Sequence, residues 1–256
     1  MKIGVFVKQV PDTESRIKIV GDHIDESEMK WVMNPYDEFA LEAAIKLKEQ
    51  LGAGEVVIMT AGSARAVESM RQALAMGADR GIRIDTQGVT LDPFTTAKAL
   101  SAVCKQENFN LIFAGKQAID DDAAQVHVGV AEFLNWPHVS PIESFDLSDD
   151  KASVRVQRPV SGGMKEIMTV SLPAVFGCDK GLNEPRYASL PGIMKAKSKP
   201  IAEHKAADLL AGEGARISIT NYQMPPEGRA GKMIQGTPQE AAKELVRLLR
   251  EEAKVI

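Results

Sequence analysis

Four short apolar runs in the first 115 residues, at 3–7, 55–59, 81–84 and 111–114, alternate with segments long enough for helices. No other feature of the chain constrains its fold as strongly. Consecutive apolar positions rich in Val and Ile suit strands buried on both faces. Between the runs stand helix signals. Asn34 precedes Pro35, with Asp37 and Glu38 in the following turn, the order of an N-cap, a proline at the first helical position and an acidic first turn. Leu41, Ala44, Ile45 and Lys48 follow at helical spacing, and Gly52 and Gly54 end the segment. Gly62-Ser63 opens a second helix with Val67, Met70 and Leu74 on one face, and Gly77 stops it. Asp92-Pro93 opens a third with Ala97, Leu100 and Val103 inward. This alternation predicts an α/β fold built on a doubly wound, mostly parallel sheet.

The pattern changes near Val139. Residues 153–157 alternate polar and apolar, Ser161-Gly162-Gly163 makes a turn, and 167–170 returns, which predicts an antiparallel hairpin at the sheet edge. One more apolar run follows at 173–177. Residues 204–214 read as a polar linker, 216–220 as a possible strand, and Met224-Pro225-Pro226-Glu227-Gly228-Arg229-Ala230-Gly231 as an irregular arm. The last helix is the plainest. Thr237 caps it, Pro238 takes the first position, Glu240 completes a capping box, and Ala241, Leu245, Leu248 and Leu249 share a face.

A formal charge of −4 on 256 residues argues against general nucleic-acid binding, which needs a basic excess. The two cysteines, Cys104 and Cys178, have no metal spacing and read as free thiols of a cytoplasmic protein. Residues 1–7 read as a strand cut off by Lys8, not a signal peptide. His23, His127, His138 and His204 lack ligand spacing, and no Gly-x-Ser-x-Gly elbow occurs.

Residues 182–200 stand apart. Three prolines and a glycine in nineteen residues break any long helix or strand. Tyr187, Leu190, Ile193 and Met194 sit among Arg186, Lys195, Lys197 and Lys199, opposed only by Glu184. A proline-stiffened, basic segment with an apolar tip suits docking on an acidic partner, charge steering the encounter and the tip anchoring it. A solvated basic loop is the plain alternative.

A second stretch lies just beyond the fourth run. In open α/β sheets, ligands bind beyond the carboxyl ends of strands. Gly115 lets a backbone approach a ligand closely, and amides at the next helix start could hold a phosphate. The three aspartates Asp120, Asp121 and Asp122 are awkward beside an anion, so some must face sugar hydroxyls, caps or solvent. A simple strand-to-helix turn is the alternative.

LNEPRYASLPGIMKAKSKP at 182–200 resembles the signature of the electron-transfer flavoprotein beta subunits, and GKQAIDDD at 115–122 resembles that family's nucleotide-binding loop. Residues 75–81 and 33–35 match as well. The matches run in family order over nearly the whole chain. The resemblance implies an electron carrier subunit rather than an enzyme. It implies AMP in this chain and an FAD held mostly by a partner alpha subunit. AMP would contact Gly115, Lys116, Gln117, Ala118, Ile119, Asp120, Asp121, Asp122, Ala123, Ala124, Gln125 and Val126, the segment Asn34, Pro35, Tyr36 and Asp37, and singly Phe6 and Ala61. Phe6 could equally be core and Asn34 a helix cap. The recognition loop would meet an acyl-CoA dehydrogenase or similar donor through Glu184, Arg186, Tyr187, Leu190, Pro191, Ile193, Met194, Lys195 and Lys197. A membrane quinone oxidoreductase would accept the electrons. The implied division is a nucleotide-binding domain at 1–181, a recognition loop at 182–200, and at 201–256 a linker, arm and helix packing on the alpha subunit.

Three departures from the family pattern bear on this. Thr13 stands where some members carry an aromatic, which leaves Tyr36 as the flavin's neighbour. His127 replaces a glycine and either lines the pocket or, as we expect, faces solvent. A bifurcating branch with a second FAD carries a loop like Asp-Gly-Asp-Thr-Ala-Gln-Val-Gly, whereas this chain has Asp121 and His127, which disfavour a pyrophosphate. AMP is therefore expected. The competing readings are that bifurcating type and, from another class, an adenine-nucleotide hydrolase.

Overall fold

The computed structural model describes residues 1–226 and 231–256. Part of the irregular arm expected at Met224 to Gly231 thus lies outside the described residues. Met1–Thr220 forms one compact unit and Asn221–Ile256 a second.

The first unit opens with β1 (Lys2–Phe6). Four short strands follow, β2 (Gln9–Pro11), β3 (Ile19–Val20), β4 (His23–Ile24) and β5 (Trp31–Met33). Then come α1 (Pro35–Leu51), β6 (Glu55–Gly62), α2 (Val67–Met76), β7 (Arg80–Asp85), α3 (Pro93–Glu107) and β8 (Leu111–Gly115). After α4 (Val126–Leu134) and β9 (His138–Ile142) the chain makes β10 (Ser144–Leu147), β11 (Ser153–Pro159) and β12 (Lys165–Ser171). It closes with β13 (Ala174–Cys178), α5 (Leu190–Ala196), β14 (Ile201–Lys205) and α6 (Ala206–Leu210).

Seven of these strands form one parallel sheet in the order β14-β7-β6-β1-β8-β13-β9. Both faces are covered, as consecutive apolar strand residues require. On one face Ile3, Val5 and Phe113 pack with Leu41, Ile45 and Leu74 of α1 and α2. On the other, Val57, Met59 and Ile112 pack with Leu100, Val103 and Val130 of α3 and α4. The doubly wound expectation holds. Asp92 caps α3 in a reciprocal capping box with Thr95 and Pro93 starts it, while Gly52, at φ 65°, ends α1.

The expected hairpin is β11–β12, and β10 joins it to make a three-stranded antiparallel sheet. Phe145 of β10 sets its ring 5.0 Å from Phe113 and 5.3 Å from Phe176, so this small sheet adds to the first core. Two expectations fail. Residues 204–214 are not a plain linker, because His204 lies in β14, which pairs with β7, and α6 follows. Residues 216–220 form no strand, and the amides of Arg216 and Ile217 donate to the Asp92 carboxylate instead. In the second unit, α7 (Pro238–Glu251) has the reciprocal Thr237–Glu240 capping box that its sequence predicts.

Candidate functional site

The chain moves from β1 to β6 to β7 along one side of the sheet, then returns to place β8 on the other side of β1. The carboxyl ends of β1 and β8 therefore flank the switch point where such sheets bind ligands. The first turn of α1 enters this crevice. Asp37 is buried, and its carboxylate accepts the Lys8 amide at 2.7 Å, the Gly115 amide at 3.1 Å and Asn34 Nδ2 at 2.9 Å. Burial pushes the Asp37 carboxyl up to about 7, against the three N–H donors, which favour the carboxylate.

Asn34 begins α1 but does not cap it with its side chain. Its Nδ2 donates to the Gln117 carbonyl at 2.9 Å, and its Oδ1 accepts the Ile119 amide at 3.3 Å. It grips the loop after β8 from both sides. Gly115 is required here by space, since a Cβ would stand 2.4 Å from Asp37 Oδ1 and 2.7 Å from Tyr36 Cβ. Lys8 closes the outer edge, with Nζ 2.8 Å from Asp120 and 3.2 Å from Asp121. Gln117 Nε2 donates to Asp122 at 2.6 Å. The three aspartates are thus matched by a cation and an amide. Asp122 and Ala124 take φ of 50° and 52°, the left-handed region that non-glycine residues rarely adopt. The loop ends where Val126 starts α4.

The residues expected to share a nucleotide site do meet at one end of the sheet. Gly115 to Val126 and Asn34 to Asp37 touch directly. Phe6 and Ala61 stand at the carboxyl ends of β1 and β6, on the α3–α4 face, where Phe6 is core. Lys116 Nζ lies 2.9 Å from Asp179 and 5.0 Å from the centre of the Tyr36 ring.

His127 departs from expectation. It is buried, not solvent-facing, and its Nε2 lies 2.9 Å from Ser140 Oγ. It turns towards β9 and β13, where Gly177 leaves room; a Cβ there would stand 2.9 Å from His127 Nε2. Burial, with His138 nearby, pulls the imidazole down to about 4. A cleft of about 340 Å³ lies beside it, walled by Lys116, Gln117, Ala124, His127 and Ser140 among others.

The 182–200 segment wraps a short helix, α5, against α2. Ser189 caps it by accepting the Gly192 amide, and Pro191 stands in its first turn. Gly192 packs its backbone on α2; a Cβ there would meet the Ala75 carbonyl oxygen at 2.3 Å. Arg71 Nη1 donates to the carbonyls of Ala196 and Lys199 at 2.6 and 2.7 Å. Lys199 Nζ donates to the carbonyls of Leu74 and Ala78. Arg186 pairs with buried Glu42 and with Glu49, both on α1. Arg186 and Lys199 therefore brace the segment from within. Lys195 and Lys197 are exposed and unpaired among the described residues, as is Glu184. Tyr187, Leu190 and Met194 are 97, 73 and 69% exposed, Pro191 and Ile193 lie outward beside them, and Ala196 is buried. Sequence reasoning missed Lys8, Glu42 and Arg71. The one available signal was Glu42, an acid on the inward face of α1.

Among the described residues, no group of three or more His, Cys, Asp or Glu could hold a metal ion. No described helix is long and apolar enough to cross a membrane.

The electron transfer flavoprotein domain family matches residues 22–209. The chain is 42% identical to the mitochondrial electron transfer flavoprotein subunit beta of Arabidopsis thaliana and 41% to the subunit beta of Bacillus subtilis, each over the full length of both chains. It is 38% identical to the human subunit beta, over 95% of this chain and 96% of that one. A loop-bearing crevice at the switch point, a braced apolar-tipped segment and this end-to-end similarity agree, and the chain belongs to the electron transfer flavoproteins as a beta subunit.

Proposed function

We propose that this chain is the non-bifurcating half of a heterodimeric electron carrier that binds AMP at the β1–β8 crevice and completes the wall of an FAD held mostly by an alpha subunit. FAD supplies the electron storage when bound. This chain's part is to bind, orient and dock. The observation that carries the reading is the cradle itself: a loop after β8 held by Asn34, Asp37 and Lys8, with Gly115 letting that loop close directly on Asp37 and Tyr36 at the switch point. Asp121 on that loop disfavours a second phosphate group. His127 contributes nothing to that preference, since it turns to Ser140. Tyr36, beside Lys116, would stand nearest the flavin ring.

We assign the nucleotide-binding body to Met1–Thr220, which takes in β14 and α6 and carries the recognition loop at 182–200, and the alpha-facing part to the arm and helix that follow, in place of the 181 and 201 boundaries expected from sequence. The loop would receive an acyl-CoA dehydrogenase or similar flavoenzyme, with Leu190 as anchor. Electrons would leave to a membrane quinone oxidoreductase. A small apolar tip with free cations suits rapid exchange of partners better than a large permanent interface. The buried thiols Cys104 and Cys178 suit a cytoplasmic carrier.

The test is to denature the co-expressed pair and quantify the released nucleotides. About one AMP and one FAD per pair is expected. Two FAD and no AMP would overturn the AMP assignment and make the protein a bifurcating type.

A further inference from the structure

Asp92 does two things at once. Its Oδ1 caps α3, accepting the Thr95 amide at 2.8 Å and the Thr95 hydroxyl at 2.6 Å. Its Oδ2 accepts the amides of Arg216 and Ile217 at 2.7 and 3.1 Å. Those two residues lie more than 120 positions later, just before the second unit begins at Asn221. Three further contacts hold the same spot. The Arg216 guanidinium stacks 3.3 Å from the centre of the Phe94 ring, itself packed edge-on against Phe133 at 5.4 Å. Arg216 pairs with Glu213, and Glu213 pairs with Lys98 of α3. Residues 213–217 have no helix or strand of their own; Asp92 takes the amides of Arg216 and Ile217, and Phe94 and Lys98 of α3 hold the side chains of Arg216 and Glu213.

We propose that Asp92 is the anchor of the C-terminal arm, fixing where the chain leaves the α/β body so that the arm is presented ready for the partner subunit. Ile217 and Ile219, 58 and 73% exposed, follow directly on the anchored residues. Within the second unit, Leu245 and Val246 of α7 are exposed as well. An arm with this much uncovered apolar surface calls for a partner surface, and a fixed root lowers the ordering cost of reaching it. Burial pulls the Asp92 carboxyl up, but the donors of Thr95, Arg216 and Ile217 outweigh it and hold it at about 2. The anchor therefore keeps its charge well below neutral pH.

The inference rests on the alpha subunit being the arm's partner. Two variants separate the two duties of the carboxylate. Asp92→Asn leaves one acceptor oxygen, which the amide and hydroxyl of Thr95, three residues away, keep at the cap, so an NH2 group faces the Arg216 and Ile217 amides and the anchor is lost. Thr95→Val removes the hydroxyl's part of the cap and leaves Oδ2 untouched. A third, Arg216→Ala, removes the stacking on Phe94 and serves if Asp92→Asn does not fold. The co-purified heterodimer is followed by amide hydrogen exchange and by dissociation on dilution. In Asp92→Asn the Arg216 and Ile217 amides should exchange about tenfold faster or more. The heterodimer should dissociate at concentrations about tenfold higher. Arg216→Ala should move both in the same direction, and Thr95→Val should move neither. Unchanged exchange and dissociation in Asp92→Asn, or in Arg216→Ala where the former does not fold, would overturn the proposal, as would equal weakening by Thr95→Val. Failure of an alpha subunit to co-purify with the wild-type chain is a different result and would instead sink the partner assignment.

Discussion

The Gly115 amide donates to Asp37 Oδ1 at 3.1 Å, and a Cβ on Gly115 would stand 2.4 Å from that same oxygen. The glycine and the aspartate thus fix each other. Gly115→Ala would push the methyl into Asp37 Oδ1 and the Tyr36 backbone, neither of which is the free end of a flexible side chain. Overpacking of this kind typically costs about 1–3 kcal/mol. We expect an unfolding free energy lower by that amount, read from a reduced denaturant midpoint, and loss of the bound nucleotide. Unchanged nucleotide content in the purified variant would show that the α1–β8 contact does not shape the site.

Two buried groups should pull stability in opposite directions over one pH range. His127 has its folded pKa lowered from 6.5 to about 4. Below pH 6.5 the unfolded chain binds a proton that the folded chain refuses, so stability falls as pH drops towards 4. Asp37 has its folded pKa raised from 3.8 to about 7. Between these values the folded chain holds the extra proton, so its contribution falls as pH rises. Each slope is at most about 1.4 kcal/mol per pH unit. Chemical denaturation from pH 4 to 7 should therefore show that His127→Gln removes an acid-side loss. Asp37→Asn should remove a loss on the alkaline side. Curves for both variants that run parallel to the wild type would sink the assignment.

Much of the fold was legible because local signals agreed with it. Pro35, Pro93 and Pro238 each start a helix behind a residue of N-cap type, and the apolar runs are the central strands. The misses share a physical cause, because each was settled by a contact remote in sequence. β14 carries Glu203, His204 and Lys205, and no periodicity marks it as a strand; it exists because β7 offers an edge. The alternation at 216–220 looked like a strand, but Asp92 takes the amides that a ladder would need. His127 looked like a surface residue, but the space above Gly177 and the hydroxyl of Ser140 receive its ring. In the site, the glycine and the aspartates were visible. The grip of Asn34 on Gln117, 83 residues away, was not.

In the recognition loop, the residue that makes contact and the residues that support it are separable. Leu190 is 73% exposed, so Leu190→Ala should leave the melting temperature and FAD content nearly unchanged. Burying a leucine side chain in a partner pocket is worth roughly 1.5–3 kcal/mol, so donor affinity should fall about tenfold or more. Gly192→Ala should reach the same functional loss by another route. Its Cβ would stand 2.3 Å from the Ala75 carbonyl oxygen, so α5 must shift on α2 while Leu190 stays intact. The Arg71 bonds to Ala196 and Lys199 then loosen, and the segment should become more open to proteolysis, which Leu190→Ala should not cause. Lys195→Gln with Lys197→Gln should act differently from both. Exposed cations steer an encounter, so the pair should lower the association rate and flatten its dependence on salt. The measurement is steady-state reduction of the heterodimer by the donor dehydrogenase over a range of ionic strength, with FAD content taken in parallel. If Leu190→Ala loses FAD or unfolds while donor affinity per intact carrier is unchanged, Leu190 supports the fold and the loop is not the docking element.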